Sequence, residues 1–265
     1  MVSAMDAILE NLRAKLKSLE SAVVAFSGGV DSAVLTYVAH DVLDGSMLAV
    51  TGSSPSVPSR DLEAAVKFCR RREIPHMIVE THEFDDKNYV ANPENRCFYC
   101  KGDLFKCLGI VAVQKGFKYV VEGTNASEIL GHRPGFEAAR SNPNVVTPYV
   151  KLGITKDDVR ALAHKLGMEA ADKPSTACLS SRIPTGTRLD ADILKRVDEA
   201  ENFLLSLGVK QVRLRHHGDI ARIEVDSGDM TLCVEKNPAI AEKIRSLGWK
   251  YAVLDLSGYR TGGGR

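Results

Sequence analysis

The sequence contains no long apolar run and no signal-like N-terminus. No stretch among its 265 residues reaches the roughly 18 consecutive apolar residues that a membrane-spanning helix needs. The opening stretch, MVSAMDAILENLRAKLKSLE, has acids and bases at helical spacing and lacks the apolar centre of a signal peptide. We therefore expect a cytoplasmic protein that does not contact membranes.

Surplus charge and aromatic residues are also scarce. The net charge is +1 and aromatic residues make up 6% of the chain. A protein that binds nucleic acid draws much of its affinity from phosphate neutralisation, and single-strand binders add aromatic stacking. The composition therefore argues against a nucleic-acid partner.

The six cysteines indicate chemistry or packing rather than disulfide bonds, because disulfides are rare in a reducing compartment. Cys69 and Cys107 lie within helical patterns and Cys233 lies near the C-terminus, and we interpret all three as packing residues. The other three cysteines occur in polar contexts that are considered below.

Apolar strands alternate with helical patterns over the first two thirds of the chain, after an amphipathic helix at 3–20. This alternation predicts an α/β fold with a parallel sheet and helices on both faces. The predicted strands are 21–26, 47–52, 75–80 and 118–122, and the predicted helices are 31–43, 59–73, 101–115 and 155–167. Thr155 and Asp158 form a capping-box pattern at the start of the last helix.

The pattern of predicted helices and strands changes near residue 185, where an α-β-β-α-β order begins. Its elements are predicted at 190–207, 211–217, 220–225, 236–247 and 250–256. We therefore expect an α/β domain over 1–184 and a smaller α+β domain for substrate binding or oligomerisation over 185–265. The stretches 83–97 and 131–147 lack periodicity and are expected to be mobile loops over a site.

The stretch 24-VAFSGGVDSAVL-35 carries a phosphate-loop pattern. Glycines after a strand let the backbone point N–H groups inward, and the following helix N-terminus adds a partial positive charge. No lysine follows the glycines, so this is not a Walker loop. The string resembles the SGGxDS loop of the PP-loop ATP pyrophosphatase superfamily. That resemblance implies that ATP is held by Ser27, Gly28, Gly29, Asp31 and Ser32, with Asp31 also placing Mg²⁺.

Three cysteines are candidates for chemistry. The Cys97-x-x-Cys100 spacing suits zinc, an iron–sulfur cluster or a redox pair. Cys178 lies in a loop of small polar residues, with Lys173 and Arg182 as basic neighbours that would favour a thiolate.

Two arginines form a further pattern, because Arg213 and Arg215 lie two apart on a predicted strand and project from one face. Two adjacent guanidinium groups suit a phosphate clamp, although an exposed basic strand face has the same spacing.

The residues after a parallel strand are also candidates, since ligands bind at such strand ends. Glu122, Gly123, Thr124 and Asn125 follow the fourth predicted strand, and they suit ATP or an acyl-adenylate, with loop packing as the alternative. We expect one of His216 and His217 to touch substrate and interpret Glu201 as part of a solvated helix face. His132-Arg133-Pro134-Gly135 suits either a cover over the triphosphate or a polar loop.

Several strings together resemble the LarE family, the ATP-dependent sulfur transferases of nickel-pincer nucleotide synthesis. They are AFSGGVDS, RCFYCK, 121-VEGTN, 132-HRPG, 177-ACLSSRIP, 212-VRLRHHGDIARIE and 255-DLSGYRTGG, and they are distributed along almost the whole chain. The resemblance implies adenylation of pyridinium-3,5-dicarboxylate mononucleotide and conversion of its carboxylates to thiocarboxylates. It also implies that Arg213 and Arg215 bind the substrate phosphate, and that Ser180 and Arg182 line the same pocket.

The resemblance leaves two routes for the sulfur. In the sacrificial type, the cysteine at the position of Cys178 gives up its own sulfur and becomes dehydroalanine. The added Cys97 and Cys100 instead mark the type in which three cysteines hold a 4Fe-4S cluster, and we favour that route. Structural zinc and a redox pair stay open as alternatives. The resemblance further implies that the protein forms homo-oligomers. It also implies an exchange of substrate and product with the carboxylase and the nickel-inserting proteins of the same pathway.

Two other functions compete with sulfur insertion into a small nucleotide. A tRNA thiolase also pairs a PP-loop with three cysteines, but the near-zero net charge argues against it. A non-catalytic sensor that carries a cluster and binds ATP to change partners is the second alternative.

Overall fold

The computed structural model describes residues 4–130, 134–172 and 177–260. The chain forms two compact units. The first comprises Met1–Ser54, Asp61–Asp86 and Asn95–Thr176, and the second comprises Pro55–Arg60, Lys87–Glu94 and Ala177–Arg265. The boundary between residues 184 and 185 remains a prediction about independently folding domains.

The first unit contains a five-stranded parallel sheet of order β3-β2-β1-β4-β5. Its four predicted strands are confirmed, whereas the short fifth strand was not predicted. The strands are β1 Ala22–Ala25, β2 Met47–Ser53, β3 His76–Glu80, β4 Tyr119–Val121 and β5 Val145–Val146.

Helices cover both faces of this sheet, as the alternation of strands and helices predicts. The helices of this part of the chain are α1 Ala4–Lys17, α2 Val30–Leu43, α3 Ser59–Arg71, α5 Arg96–Lys115, α6 Pro134–Arg140, α7 Pro148–Leu152 and α8 Lys156–Lys165, with α4 Lys87–Val90 in the second unit. Along β1, Val24 packs with α1, α2 and α8, while Val23 packs with α5 and α6. Successive side chains of a strand point to opposite faces, so one strand anchors both apolar layers.

The capping-box pattern at the start of α8 is confirmed. The Thr155 hydroxyl accepts from the backbone N–H of Asp158 at 3.2 Å, and the Asp158 carboxylate accepts from the backbone N–H of Thr155 at 2.9 Å. Two otherwise unpaired N–H groups are thereby satisfied at the helix start.

The expectation that 83–97 and 131–147 are loops without structure is wrong for the residues that the structure describes. The first stretch contains a 3₁₀ turn at Glu83–Asp85 and α4, and the second contains α6 and β5. These elements have two to seven residues, which is too short for a helical or strand period to register in the sequence.

The order in which strands are added to the parallel sheet reverses beside β1. The chain passes from β1 through α2 to β2 on one side, while β4 pairs with β1 on the other. Ligands of open α/β sheets bind at the carboxyl ends of strands at such a switch point. The turn after β1 and the turn after β4 therefore occupy the expected place for a ligand.

The second unit contains a three-stranded sheet of order β6-β7-β8, which confirms the small α+β unit. The strands are β6 Val212–His217, β7 Ile220–Val225 and β8 Tyr251–Leu254, and the helices are α9 Ala191–Ser206, α10 Met230–Glu235 and α11 Asn237–Ser246. β6 and β7 form the predicted antiparallel pair through a turn at Gly218, whose φ is +62°, and β8 lies parallel to β7. In the described part of the chain, no helix is long and apolar enough to cross a bilayer.

His216 is a core residue of the second unit. It is buried on β6, and its Nδ1 accepts a hydrogen bond of 3.0 Å from the indole Nε1 of Trp249. This bond requires a neutral imidazole with its proton on Nε2. Burial lowers the pKa of His216 below its ordinary value, and Arg196 and His217 lower it further. His216 therefore stabilises the fold in its neutral form.

Stability of the second unit should decrease as the pH falls below about 6.5, the ordinary pKa of histidine. The unfolded chain takes up a proton there while folded His216 does not, so the free energy of unfolding decreases until its lowered pKa is reached. Urea unfolding followed by the fluorescence of Trp249, the single tryptophan, measures this effect. His216→Asn, which keeps an acceptor for the indole, should reduce the slope between pH 7 and 5.

The matched control is His82→Asn, because His82 is 59% exposed. That variant should leave the pH dependence unchanged. If the free energy of unfolding depends on pH equally in wild type and His216→Asn, the idea that folding keeps His216 neutral is wrong. His76 and His217, whose pKa values are also lowered by burial, contribute to the slope that remains.

Candidate functional site

The turn after β1 forms an open cradle of backbone N–H groups. Gly28 adopts φ +75°, and a Cβ there would lie 3.4 Å from the carbonyl oxygen of Asp61. Gly29 precedes α2, and no side chain of the described residues caps the helix from that position. The first N–H groups of a 14-residue helix thus remain available to an anion, which fits a polyphosphate.

Ser27 and Ser32 fix the shape of this turn. The Ser32 hydroxyl donates to the carbonyl of Gly29 at 3.0 Å and accepts from the backbone N–H of Ser27 at 3.2 Å. The two hydroxyl oxygens are 3.1 Å apart. Ser32 is buried and Ser27 is exposed, so Ser32 is suited to holding the turn and Ser27 to reaching a ligand.

Asp31 is held in place from several directions. Its Oδ1 accepts from the Asn125 amide at 3.0 Å, and its Oδ2 forms an ion pair with Lys156. Its backbone carbonyl accepts from the Tyr149 hydroxyl at 3.0 Å, and burial together with Asp31 raises the pKa of Tyr149 well above its ordinary value. The Asn125 amide also lies 3.3 Å from Oε1 of Glu128, so two carboxylates share one amide.

The strand-end residues after β4 join the turn after β1, as the sequence predicts for adjacent parallel strands. A Cβ at Gly123 would lie 3.3 Å from the backbone of Asp31 and Ser32, so the two turns touch there. Thr124 and Asn125 are buried beside it. The predicted ATP residues of the first unit are therefore brought together by the fold.

Glu122 and Lys101 form an ion pair that the sequence did not reveal. Lys101 Nζ lies 3.0 Å from Oε2 of Glu122 and 3.4 Å from the hydroxyl of Thr124, while Oε1 of Glu122 is buried without a partner among the described residues. Lys101 follows Cys100 directly in RCFYCK, but Glu122 lies 21 residues further along the chain, so no local pattern indicates the pair. The pair links α5 to the exit of β4.

Cys97 and Cys100 lie in the first turn of α5. The helix starts at Arg96, five residues before the predicted start, and the two positions are one helical turn apart. Cys97 is exposed and Cys100 is half-buried. Within the described residues, no group of three or more His, Cys, Asp or Glu side chains is arranged to hold a metal ion. Lys173, His132 and Arg133 lie outside the described residues.

Cys178 belongs to the second unit and directly precedes a 3₁₀ turn at Leu179–Arg182. Arg182 holds the backbone at this turn, because its Nη1 donates to the carbonyls of Ala177 at 2.7 Å and Cys178 at 3.2 Å. The Ser180 hydroxyl lies 2.7 Å from that of Tyr89. Arg182 is therefore a residue that positions the Cys178 loop.

The interpretation of Glu201 as a solvated residue is wrong, because its carboxylate is fully buried. It accepts two bonds from Arg182, at 2.8 and 3.1 Å, one from Arg60 at 2.7 Å and one from the backbone N–H of Leu214 at 3.0 Å. Burial alone would raise the pKa of Glu201, but the two arginines hold it below its ordinary value. Sequence reasoning failed because both partners are distant in the chain.

Arg213 and Arg215 lie on one face of β6, as their spacing predicts, and both are buried. Arg215 donates from Nε to Glu224 at 2.5 Å and from Nη1 to the carbonyl of Ser181 at 3.2 Å. Arg213 donates to the Tyr259 hydroxyl at 2.9 Å and lies over its ring at 4.7 Å. The alternative of an exposed basic face is therefore excluded. His217 is exposed at the end of the same strand.

Glu201→Gln should strongly destabilise the second unit. Removing the charge leaves the buried guanidinium of Arg182 without its counterion, and breaking a buried pair typically costs about 3–5 kcal/mol. The control is Glu199→Gln on the same helix, whose side chain is 46% exposed and lies 3.9 Å from Lys243, and whose cost should stay within about 0.5 kcal/mol. Urea unfolding followed by Trp249 fluorescence measures both variants, and equal midpoints would contradict this prediction.

Comparison with known proteins shows which proteins this chain resembles. A family model described as NAD synthase matches residues 1–97. An uncharacterized protein of Synechocystis sp. is 38% identical over 260 residues, which is 97% of each chain. An uncharacterized protein of Methanocaldococcus jannaschii is 24% identical over 251 residues, which is 95% of each chain.

A third relative has a stated activity. The pyridinium-3,5-bisthiocarboxylic acid mononucleotide synthase of Lactiplantibacillus plantarum is 32% identical over 252 residues, or 95% of this chain and 91% of that protein. At 95% coverage of this chain, the similarity extends across both compact units. At this identity and coverage, the chain belongs to the LarE family of ATP-dependent sulfurtransferases, within the PP-loop ATP pyrophosphatase superfamily.

Proposed function

We propose that this protein uses ATP to adenylate the carboxylates of pyridinium-3,5-dicarboxylate mononucleotide and then replaces the activated oxygen with sulfur. The relative from L. plantarum is named for the bis-thiocarboxylate product of such a reaction. The observation that carries the proposal is the cradle at Ser27–Ser32, where a left-handed Gly28 and an uncapped helix start leave backbone N–H groups for a polyphosphate. ATP is therefore the proposed first substrate.

The residues around Asp31 fit a magnesium ion. Asp31 and Glu128 supply carboxylate oxygens, and Asn125 already contacts both. Carboxylates so near a triphosphate need a cation between them, and Mg²⁺ favours oxygen ligands. We propose that Asp31 and Glu128 hold Mg²⁺, which neutralises phosphate charge when bound. When no Mg²⁺ is bound, Lys156 stabilises the Asp31 carboxylate. Gly123, Thr124 and Asn125 complete the proposed ATP site.

Activation is needed because a carboxylate is a poor electrophile. Attack of a substrate carboxylate oxygen on the α-phosphorus of ATP forms the acyl-adenylate and releases pyrophosphate. A sulfur nucleophile then attacks the acyl carbon, and AMP leaves with the bonding electrons. Cationic groups near the acyl oxygen stabilise the charge that develops on it.

We propose that Arg213 and Arg215 bind the phosphate of the mononucleotide. Both side chains are buried on one face of β6, and neither guanidinium has all of its N–H groups paired within the described residues. Arg182 is committed to Glu201 and to the Cys178 loop, so its proposed contribution with Ser180 is to shape the pocket.

For the sulfur source we propose Cys97, Cys100 and Cys178 as ligands of a 4Fe-4S cluster. Thiolates are the usual ligands of such clusters, and Cys97 and Cys100 present two of them from one helical turn. When bound, a cluster with three protein ligands supplies an open iron that can carry an extra sulfide. The sacrificial route through Cys178 is the competing outcome, in which Cys178 loses its sulfur and becomes dehydroalanine.

Three further proposals follow from the family. We propose that the protein forms homo-oligomers, that it acts in the cytoplasm, and that its product passes to nickel-inserting proteins of the same pathway. The carboxylase of that pathway would supply the dicarboxylate substrate. Size-exclusion chromatography with light scattering tests the first of these.

Asp31→Asn should reduce adenylation by about 100-fold, because it removes a charge that the proposed Mg²⁺ site needs. The assay measures AMP and pyrophosphate from ATP, Mg²⁺ and the dicarboxylate nucleotide under anaerobic conditions. Asp41→Asn on the same helix is the control, since Asp41 is 45% exposed and pairs with Arg13. If wild-type protein releases no AMP in the presence of the dicarboxylate, the proposed function is wrong.

Cys97→Ser, Cys100→Ser and Cys178→Ser should each abolish the brown colour of the anaerobically reconstituted protein, because cysteine thiolates ligate such clusters. Cys107→Ser is the matched control on α5, because burial and Asp103 raise the pKa of the Cys107 thiol. The competing route predicts that only Cys178→Ser stops transfer. Intact-mass analysis after turnover would then show dehydroalanine.

A further inference from the structure

Four buried polar atoms without hydrogen-bond partners among the described residues lie on one face of the sheet in the second unit. Strand pairing places Arg213 opposite Glu224 and Arg215 opposite Arg222. Arg213, Arg215 and Glu224 are 6%, 5% and 3% exposed. Among the described residues, the atoms on this face that lack a hydrogen-bond partner are Arg213 Nε, Arg215 Nη2, Arg222 Nε and Glu224 Oε2.

The two oxygens of Glu224 have different roles. Oε1 accepts from Arg215 Nε at 2.5 Å and from Arg222 Nη2 at 2.8 Å, while Oε2 accepts from neither. A buried carboxylate oxygen without a donor is costly, so its position calls for a donor that arrives with a ligand.

The charges on this face are also unbalanced. Arg215 and Arg222 pair with Glu224, and Arg222 also lies 3.5 Å from Asp255. Arg213 instead donates hydrogen bonds to the Tyr259 hydroxyl and the carbonyl of Arg260, and it pairs with no carboxylate in the described part of the chain. A buried cation that lacks a carboxylate favours an anion nearby. Because Arg222 Nε faces Asp255, the face offers a ligand two N–H donors, Arg213 Nε and Arg215 Nη2, together with one acceptor and a positive excess.

We propose that Glu224 makes this face selective for a phosphate monoester whose sugar carries a hydroxyl group. The phosphate accepts from the arginines, and a sugar hydroxyl donates to Oε2 of Glu224. The methyl phosphate dianion brings no hydroxyl group, so its charged oxygens face the carboxylate and are repelled, whereas inorganic phosphate keeps a P–OH donor near neutral pH. Arg222 is a positioning residue that holds Oε1. This selectivity deepens the proposed function, because it rests on the same phosphate clamp and adds Glu224 and Arg222 to it.

Ligand binding tests this selectivity without any chemistry. Isothermal titration calorimetry of the full-length protein compares ribose 5-phosphate with methyl phosphate and inorganic phosphate. Methyl phosphate is a phosphate monoester without a sugar hydroxyl. A hydrogen bond to a charged group should make ribose 5-phosphate bind at least about tenfold more tightly than methyl phosphate. Equal affinities in wild type, or no binding of any of the three at millimolar concentration, would overturn the proposal.

Glu224→Gln should reverse the preference. Arg215 and Arg222 both donate to the Oε1 position, so the amide oxygen of the glutamine should occupy it. The amide NH₂ then takes the position of Oε2 and presents donors instead of an acceptor. Methyl phosphate should then bind at least as tightly as ribose 5-phosphate. Glu242→Gln, at an exposed residue of α11, should keep the wild-type order of affinities. A preserved preference in Glu224→Gln, with unchanged Trp249 fluorescence, would overturn the role of Glu224.

The outcome is separable from that of the proposed function. Selective binding of ribose 5-phosphate without release of AMP from the dicarboxylate would retain Glu224 as a selectivity residue and reject the reaction. Release of AMP without selectivity would retain the reaction and reject the role of Glu224.

Discussion

The turn after β4 packs directly against the first turn of α2, at a position where Gly123 carries no side chain. A side chain at Gly123 would meet the backbone of Asp31 and Ser32 at 3.3 Å. Because the turns touch, Asn125 reaches the Asp31 carboxylate, and the Tyr149 hydroxyl reaches the Asp31 carbonyl from α7. The phosphate cradle is therefore held by neighbouring parts of the sheet layer, and its N–H groups are oriented before any ligand binds.

A different constraint organises the second unit, where arginines are buried in two electrostatic settings. Arg182 has a fully buried carboxylate partner in Glu201, and that carboxylate raises its pKa against the opposite effect of burial. Arg213 lies on the strand that follows α9 and has no carboxylate of its own, and burial lowers its pKa. The first arginine is consequently satisfied within the protein, while the second gains most from an external anion.

The sequence predicted elements that have a strong local pattern. Apolar runs identified β1 to β4 and β6 to β8, and the string at Ser27–Ser32 identified the cradle, because these features depend on neighbouring residues. β5 has two residues and carries no period. Glu201 was misread because its helix has ordinary charged spacing, while its partners Arg60 and Arg182 lie 141 and 19 residues away. The role of His216 likewise depends on Trp249, 33 residues away.

The spacing of the three cysteines of α5 does not show which of them suits a thiolate ligand, whereas their environments differ. Cys100 and Cys107 are seven residues apart and share one stripe of the helix. Cys107 is half-buried beside Asp103, and both burial and that carboxylate raise the pKa of its thiol, which disfavours a thiolate ligand. Cys97 is exposed in the first turn, where the partial positive charge of a 20-residue helix favours a thiolate. Cys107 is therefore assigned to packing, and Cys97 and Cys100 remain the proposed thiolate ligands on α5.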